Sequence, residues 1–323
     1  MSERARNQAD ICVPSVFSST EEERALVKRG EMEFHYRFTE LAREIDRECD
    51  KGDMVFLALC GPTCSGKTTA AKYLTTELTE AGRTGHLISL DDFYFDRSIL
   101  HERAEREGKP LDYDSVDTLD LDCLARCVEE LVRNGRTEMP VFDFHSGTRT
   151  AYRLLTADPV HQNVYIFEGI QALYPRVSAI LKEDGRQGKD TRRHLSMFIS
   201  VQRGIRIGER TFAPDEIRLM RRLVRDYVRR SAKTEFTLAL WKGVRQNEVC
   251  SVLPYEASCD FTVDSTMPYD VHMLAPHLRP LLMTVPADCE EYGTATELLN
   301  RLEGIAPASA AFLDENSLYR EFL

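Results

Sequence analysis

The chain is 323 residues long, 42% hydrophobic and 29% charged, the proportions of a globular protein with room for one large domain and appendages. A formal net charge of −11 excludes a general nucleic-acid binder, because backbone phosphates would be repelled except at a local basic patch. No stretch reaches the ~18 consecutive apolar residues of a membrane span, and Met1 to Asp10 lack the apolar core of a signal peptide, so a cytoplasmic protein whose nine cysteines are reduced is expected.

Residues 1–18 show no periodicity and read as loose. Ser19-Thr-Glu-Glu-Glu23 is a capping-box signature, and the charged segment that follows, to about Cys49, fits a solvated helix. Asp50-Lys-Gly-Asp53 reads as a turn, so 1–50 is expected to be an N-terminal helical extension and 51–270 the catalytic domain. The apolar run Met54 to Cys60 predicts a buried strand. It delivers Gly61-Pro62-Thr63-Cys64-Ser65-Gly66-Lys67-Thr68-Thr69, and Ala70-Ala-Lys-Tyr-Leu continues as a helix. Strand, glycine-bounded loop and helix in that order are what a phosphate-binding P-loop requires. Its glycines let backbone N–H groups converge on a polyphosphate, with the positive end of the helix behind them. Lys67 would reach the β- and γ-phosphates, and the Thr68 hydroxyl would bind Mg²⁺.

His86 to Leu90 predicts a second strand, with Asp91-Asp92-Phe93-Tyr94 at the end where ligands bind in open α/β sheets. One strand after a P-loop, one of these carboxylates is a candidate for orienting or deprotonating an acceptor hydroxyl. Asp117-Thr-Leu-Asp120 caps a helix that runs to about Val132 and stops at Gly135, leaving Asp114 outside the capping chemistry. Cys123 and Cys127 lie four apart on that helix with no second pair or nearby histidine, so core packing is expected. Met139 to His145 is an extended segment. Further strands are predicted at 163–167, 194–201 and 260–263, with a Gly/Lys/Asp-rich surface loop near 182–193. Glu168, at the end of the first of these strands, stands where the acidic partner of a P-loop reaches Mg²⁺. From Asp215 to Arg230, Ile217, Met220, Val224 and Tyr227/Val228 make one apolar helix face beside a stripe of Arg218, Arg221, Arg222, Arg225 and Arg229. Ten basic residues face four acidic ones between Arg203 and Lys233, too few acids to pair the arginines. A lid over about 203–250, closing on transferring phosphate, is therefore expected. Residues 271–323 read as helical, packed on the core, and without chemistry of their own.

Five runs taken together resemble the uridine kinase/phosphoribulokinase family: G-P-T-C-S-G-K-T-T, D-D-F-Y, P-V-F-D-F-H-S-G-T-R, F-E-G-I-Q-A-L-Y and R-L-M-R-R-L-V-R-D-Y. Their order and spacing are similar to those of uridine–cytidine kinases over about 51–265. The likeness is greatest to uridine kinase-like modules sometimes fused to an N-terminal region similar to that of threonyl-tRNA synthetase, whose C-terminal motif Ser317 to Leu323 also resembles. The resemblance implies a three-layer α/β/α P-loop NTPase fold with a mainly parallel sheet and an arginine-rich helical lid. It implies transfer of the γ-phosphoryl group of ATP, with Mg²⁺, to a nucleoside 5′-hydroxyl, most simply of uridine or cytidine. By position, Asp91 matches the catalytic aspartate, and Tyr94 and Asp114 match acceptor contacts, Asp114 toward the ribose hydroxyls. Arg218 matches an arginine at the acceptor, Arg222 and Arg225 match lid arginines near the phosphates, and Glu168 matches the acid that helps hold Mg²⁺.

Two positions depart. Phe142 and Gly147 stand where those kinases read the pyrimidine with tyrosine and histidine, so stacking survives but the hydrogen bond from position 147 cannot. His145, two residues away, is the candidate substitute. Two other readings remain open: a kinase of the same fold for a sugar phosphate or pantothenate-like alcohol, and a nucleotide-binding regulatory module. Asp91 speaks against the last, since a sensor needs no acceptor-side carboxylate. A small-molecule partner and a possible homo-oligomer complete the expectation, with neither nucleic acid nor membrane as partner.

Overall fold

The computed structural model describes residues 9–51, 54–108, 111–182 and 192–323; the loop expected near 182–193 falls almost wholly outside them, as do Met1 to Gln8 and part of the expected turn at 50–53. The chain opens on a short strand, β1 (Ile11–Val13), and a thirty-residue helix, α1 (Thr20–Cys49). The Ser19 side chain accepts from the Glu22 N–H at 3.2 Å, and the Glu22 carboxylate accepts in turn from the Ser18 backbone, so the N-terminal capping is real. The helix is not solvated as expected. Leu26, Val27, Phe34, Phe38, Leu41, Ala42 and Ile45 form a buried stripe at helical spacing, hidden in the sequence by the charges between them. At Gly30 the backbone passes so near the 268–269 turn that a Cβ would lie 2.8 Å from Pro268 and Tyr269.

Strand β2 (Met54–Cys60) leads through the P-loop into α2 (Lys67–Glu80), and β3 (Thr84–Ser89) follows. The chain then makes a 3-10 turn, Leu90–Phe93, and a helix the sequence did not signal, α3 (Arg97–Glu107), in which only Leu100 is buried. Helix α4 (Leu121–Asn134) starts on Asp120, whose side chain accepts from the Cys123 N–H at 3.0 Å, and ends at Gly135 with φ 65°. A hairpin of β4 (Arg136–Asp143) and β5 (Thr148–Thr156) comes next. Strand β5 lies almost wholly on the surface, so it carries no apolar alternation to betray it. After β6 (Asn163–Glu168), α5 (Pro175–Lys182) and β7 (Arg192–Ser200), a tight pair, β8 (Ile205–Ile207) and β9 (Arg210–Phe212), leads into α6 (Pro214–Arg230). Pro214 opens α6 with its φ preset and no N–H to satisfy. Helix α7 (Thr234–Asn247) runs into a π-helical turn, Glu248–Val252; then come β10 (Phe261–Asp264), α8 (Asp270–Leu282), α9 (Tyr292–Arg301) and a final 3-10 turn, Leu318–Glu321.

Five strands form an all-parallel sheet in the order β10-β7-β2-β6-β3. The chain leaves β2 toward one edge and later crosses to the other side of it, so strand order reverses at β2, beside which ligands bind in such sheets. Side chains of β2 alternate between two cores. Val55, Leu57 and Leu59 face α1, α2, α6 and α8, whereas Phe56, Ala58 and Cys60 face α4 and α5, which gives three α/β/α layers. β1 pairs in parallel with β8, tying the N-terminal segment to the base of α6. Leu318, Tyr319 and Phe322 share the core of α1 and β2.

Candidate active site

The P-loop bends between β2 and α2 where only small groups fit. A Cβ on Gly61 would overlap the carbonyl of Ile199, and Gly66 has φ 88° with Leu318 packed over it. Between them Cys64 adopts φ 57°, an uncommon conformation for a residue with a side chain. Lys67 folds across the loop, its Nζ donating to the Pro62 carbonyl at 3.0 Å, and the buried Ser65 hydroxyl has no partner among the described residues. Thr69 donates to Glu321 at 3.2 Å.

Register sets the acidic side. Glu168 pairs with Leu59 of β2 and with Ser89 of β3, so three strand ends converge on one carboxylate. Ser89 Oγ donates to Glu168 Oε1 at 2.9 Å and Thr68 Oγ1 lies 3.4 Å from the same oxygen. Burial, reinforced by Asp91, pushes the Glu168 carboxyl up to about 7, with Lys67 pulling the other way. Asp91 follows on the turn after β3. Burial raises it, while Lys67 and Arg230 hold it down. Its neighbour Asp92 accepts the Phe142 N–H at 3.1 Å and so fixes the β4 hairpin.

Beyond Asp91 the rings of Tyr94, Phe142 and Phe144 pack together, with centroids 5.4 to 6.4 Å apart. The Tyr94 hydroxyl donates to the Tyr113 carbonyl at 3.0 Å, and Gln171 reaches both. Asp114 receives Asn247 Nδ2 at 3.3 Å; burial raises its carboxyl and that hydrogen bond lowers it. His145 is exposed, its backbone N–H bound to Asp143 in a turn, and it stands apart from these rings' hydrogen bonds. Gly147 leaves no open space beside the rings. Its φ is 71°, and a Cβ there would lie 2.9 Å from the Arg97 guanidinium carbon, so Arg97 already covers the place.

The arginine stripe corrects the expectation of unpaired charge. The count of local acids left out partners that come from other elements. Arg218, placed at the acceptor by the resemblance, is 3% exposed and bidentate on Glu248 at 2.6 and 2.8 Å, facing the P-loop backbone. Arg221 is fully buried on Asp270, with its Nη2 on the Ser265 carbonyl. Arg222 and Arg225 share Asp226, which fixes their guanidiniums side by side, and Arg229 binds the carbonyls of Arg320 and Leu323.

The model of the Phosphoribulokinase / Uridine kinase family matches residues 56–184, the span that carries the P-loop, Asp91, Asp114, the aromatic cluster and Glu168. Over that span, less than half of its length, the chain resembles the phosphoribulokinase/uridine kinase family. Uridine-cytidine kinase C of Dictyostelium discoideum is 29% identical over 137 residues, 42% of this chain but only 27% of its own length. The uridine kinase of Lactobacillus johnsonii is 26% identical over 234 residues, 72% of this chain and 97% of its own. The solved structure of the YGR205w protein shares the fold, with a TM-score of 0.52 at 12% identity over 71% of this chain and 93% of that one.

Several groups at this site carry no clear signal in the sequence. Arg149 ends the P-V-F-D-F-H-S-G-T-R run, and its guanidinium binds Asp120 and the carbonyls of Phe93 and Tyr94, holding the turn that presents Asp91. Its place inside a quoted motif was the available signal. Ser89, Asn247, Glu248 and Glu321 reach the site through contacts of long sequence separation, and nothing local marks them.

Proposed function

We propose that this protein is an ATP- and Mg²⁺-dependent kinase that phosphorylates the 5′-hydroxyl of a nucleoside, uridine or cytidine foremost. The observation that carries the reading is the gathering, at one edge of the sheet, of the P-loop after β2, Asp91 on the turn after β3 and Glu168 at the end of β6, with Thr68 and Ser89 both on the Glu168 carboxylate. Nine free thiols support a reducing, cytoplasmic setting.

The site residues fit a magnesium polyphosphate: an orphaned Ser65 hydroxyl inside the loop, the Lys67 ammonium, and the Thr68, Ser89 and Glu168 oxygens gathered at one point. When bound, Mg²⁺ would be held from the side of Thr68, Ser89 and Glu168 and would neutralise phosphate charge. Lys67 adds a countercharge from within the loop. Arg222 and Arg225, held by Asp226 before any substrate arrives, offer preset charge at no reorganisation cost. Asp91 accepts the proton of the acceptor hydroxyl, and its raised pKa makes it the stronger base. Asp114, steadied by Asn247, is the group for the ribose hydroxyls, and the rings of Tyr94, Phe142 and Phe144 are the stacking surface for the base.

A second acceptor class, another small hydroxyl compound such as a sugar phosphate or a pantothenate-like alcohol, draws support from the covered Gly147 and the apolar Phe142. Neither position offers the base a side-chain hydrogen bond. The test is an ATP-consumption screen over uridine, cytidine, adenosine, guanosine, deoxyuridine, ribulose 5-phosphate and pantothenate, with product masses and a Lys67→Ala control. Uridine or cytidine should lead, deoxyuridine should lag, and Lys67→Ala should lose about 10²-fold or more in turnover while remaining folded. A sugar phosphate as leading acceptor would replace the nucleoside reading. Undiminished turnover in Lys67→Ala would end the P-loop kinase reading.

A further inference from the structure

One carboxylate outside the span of the family model is tied to the crest of the P-loop. Glu248 opens the π-helical turn after α7 and is 1% exposed. Its oxygens accept four hydrogen bonds: both terminal nitrogens of Arg218 at 2.6 and 2.8 Å, Arg245 Nη1 at 2.7 Å, and the backbone N–H of Thr63 at 3.2 Å. Arg218 Nη1 also donates to the Thr63 carbonyl at 3.1 Å, so a single ion pair grips both backbone groups of one P-loop residue. The next residue is Cys64, whose left-handed backbone is unfavourable for a residue with a side chain and has to be imposed by its surroundings. Burial would raise the Glu248 carboxyl, but Arg218 and Arg245 outweigh it and hold it below the ordinary range, so it stays ionised and keeps its grip. Asn247, one residue earlier, holds Asp114, so the same junction touches the acceptor side.

Resting on the kinase reading above, we propose that Glu248 is a positioning residue for phosphate binding: with Arg218 it clamps Thr63 and sets the P-loop crest. The alternative, that the pair only stabilises the fold, makes a different forecast. Replacing a buried pair by apolar residues of similar size commonly preserves stability, whereas breaking one partner does not. The protein is titrated with MgADP by calorimetry as wild type, as Glu248→Asp, and as the double variant Arg218→Met with Glu248→Leu, each below its melting temperature. Glu248→Asp keeps both guanidiniums paired but draws the carboxylate back from the Thr63 N–H. It should stay folded and bind MgADP about tenfold more weakly, the scale of one charge-assisted hydrogen bond. The double variant should melt close to wild type and bind at least as weakly. Wild-type affinity in Glu248→Asp, or in a stable double variant, overturns the proposal. A wild type that binds no MgADP removes the kinase reading and this inference with it.

Discussion

The Asp92 carboxylate accepts the Phe142 N–H, whereas the Asp91 carboxylate has no hydrogen bond among the described residues and feels Lys67 and Arg230. An asparagine at 92 can still accept that N–H through its amide oxygen, while an asparagine at 91 can take no proton. Asp91→Asn should therefore lower turnover by about 10²–10⁴-fold with nucleotide affinity retained, and Asp92→Asn should be mild. Steady-state kinetics of the two variants checks this, and the reverse order would move the acceptor-side role to Asp92. Glu168 yields a pH prediction. Its folded value of about 7 lies above the ordinary 4.5, so the folded state holds the proton more tightly across that interval. The stability it contributes is full below 4.5 and is lost as pH rises through 7. Glu168→Gln removes this loss. In metal-free buffer its melting temperature relative to wild type should climb between about pH 5 and about pH 8. A difference that is flat or falls with pH would contradict the buried, proton-holding carboxylate.

At the scale of elements, the turn Leu318–Glu321 is the piece whose contribution the sequence concealed. Leu318 is fully buried over Gly66, Tyr319 hydrogen-bonds to Asp270, and Arg229 holds the carbonyls of Arg320 and Leu323. Four residues of 3-10 backbone cannot stand alone, so the turn owes its shape to the P-loop, α6 and α8 around it. Leu318→Ala should cost about 2–5 kcal/mol of stability in urea titration, and an unchanged midpoint would show that the turn is not docked. Helix α1 teaches the related lesson. Its capping residues were legible because capping is local, but its buried stripe was read as a solvated face because the charges between Leu26 and Ile45 dominate the composition.

For the whole molecule, one apolar core joins α1, β2, α6, α8 and the turn at Leu318, and a second joins β2 and β7 to α4 and α5. Both use the central strand β2, whose side chains alternate between them. Unfolding either core exposes the other, so loss of far-UV circular dichroism and the change in Trp241 fluorescence should coincide in urea. Trp241 is the chain's one tryptophan and lies beside Arg218, 5.5 Å from its guanidinium carbon, so it reports on α7 and the P-loop together. Two separated transitions would show that the helical segments unfold apart from the sheet.

Sequence alone determined the parts whose physics is local: the P-loop with its glycines, the apolar runs of the five sheet strands, the caps of α1 and α4, and carboxylates at strand ends. Order along the chain was enough to place Asp91 and Glu168 on the same edge as Lys67, because parallel strands put their C-terminal ends together. Only the tertiary structure decided which acid each arginine meets, Asp226 on their own helix for Arg222 and Arg225 but distant acids for Arg218 and Arg221. Arg218 and Arg221 look like their neighbours Arg222 and Arg225 on the helix, yet they are consumed by Glu248 and Asp270, acids 30 and 49 residues away. A charge's role depends on which opposite charge folding brings within about 3 Å and how far water is excluded from the pair, and neither distance nor exclusion is written in local spacing.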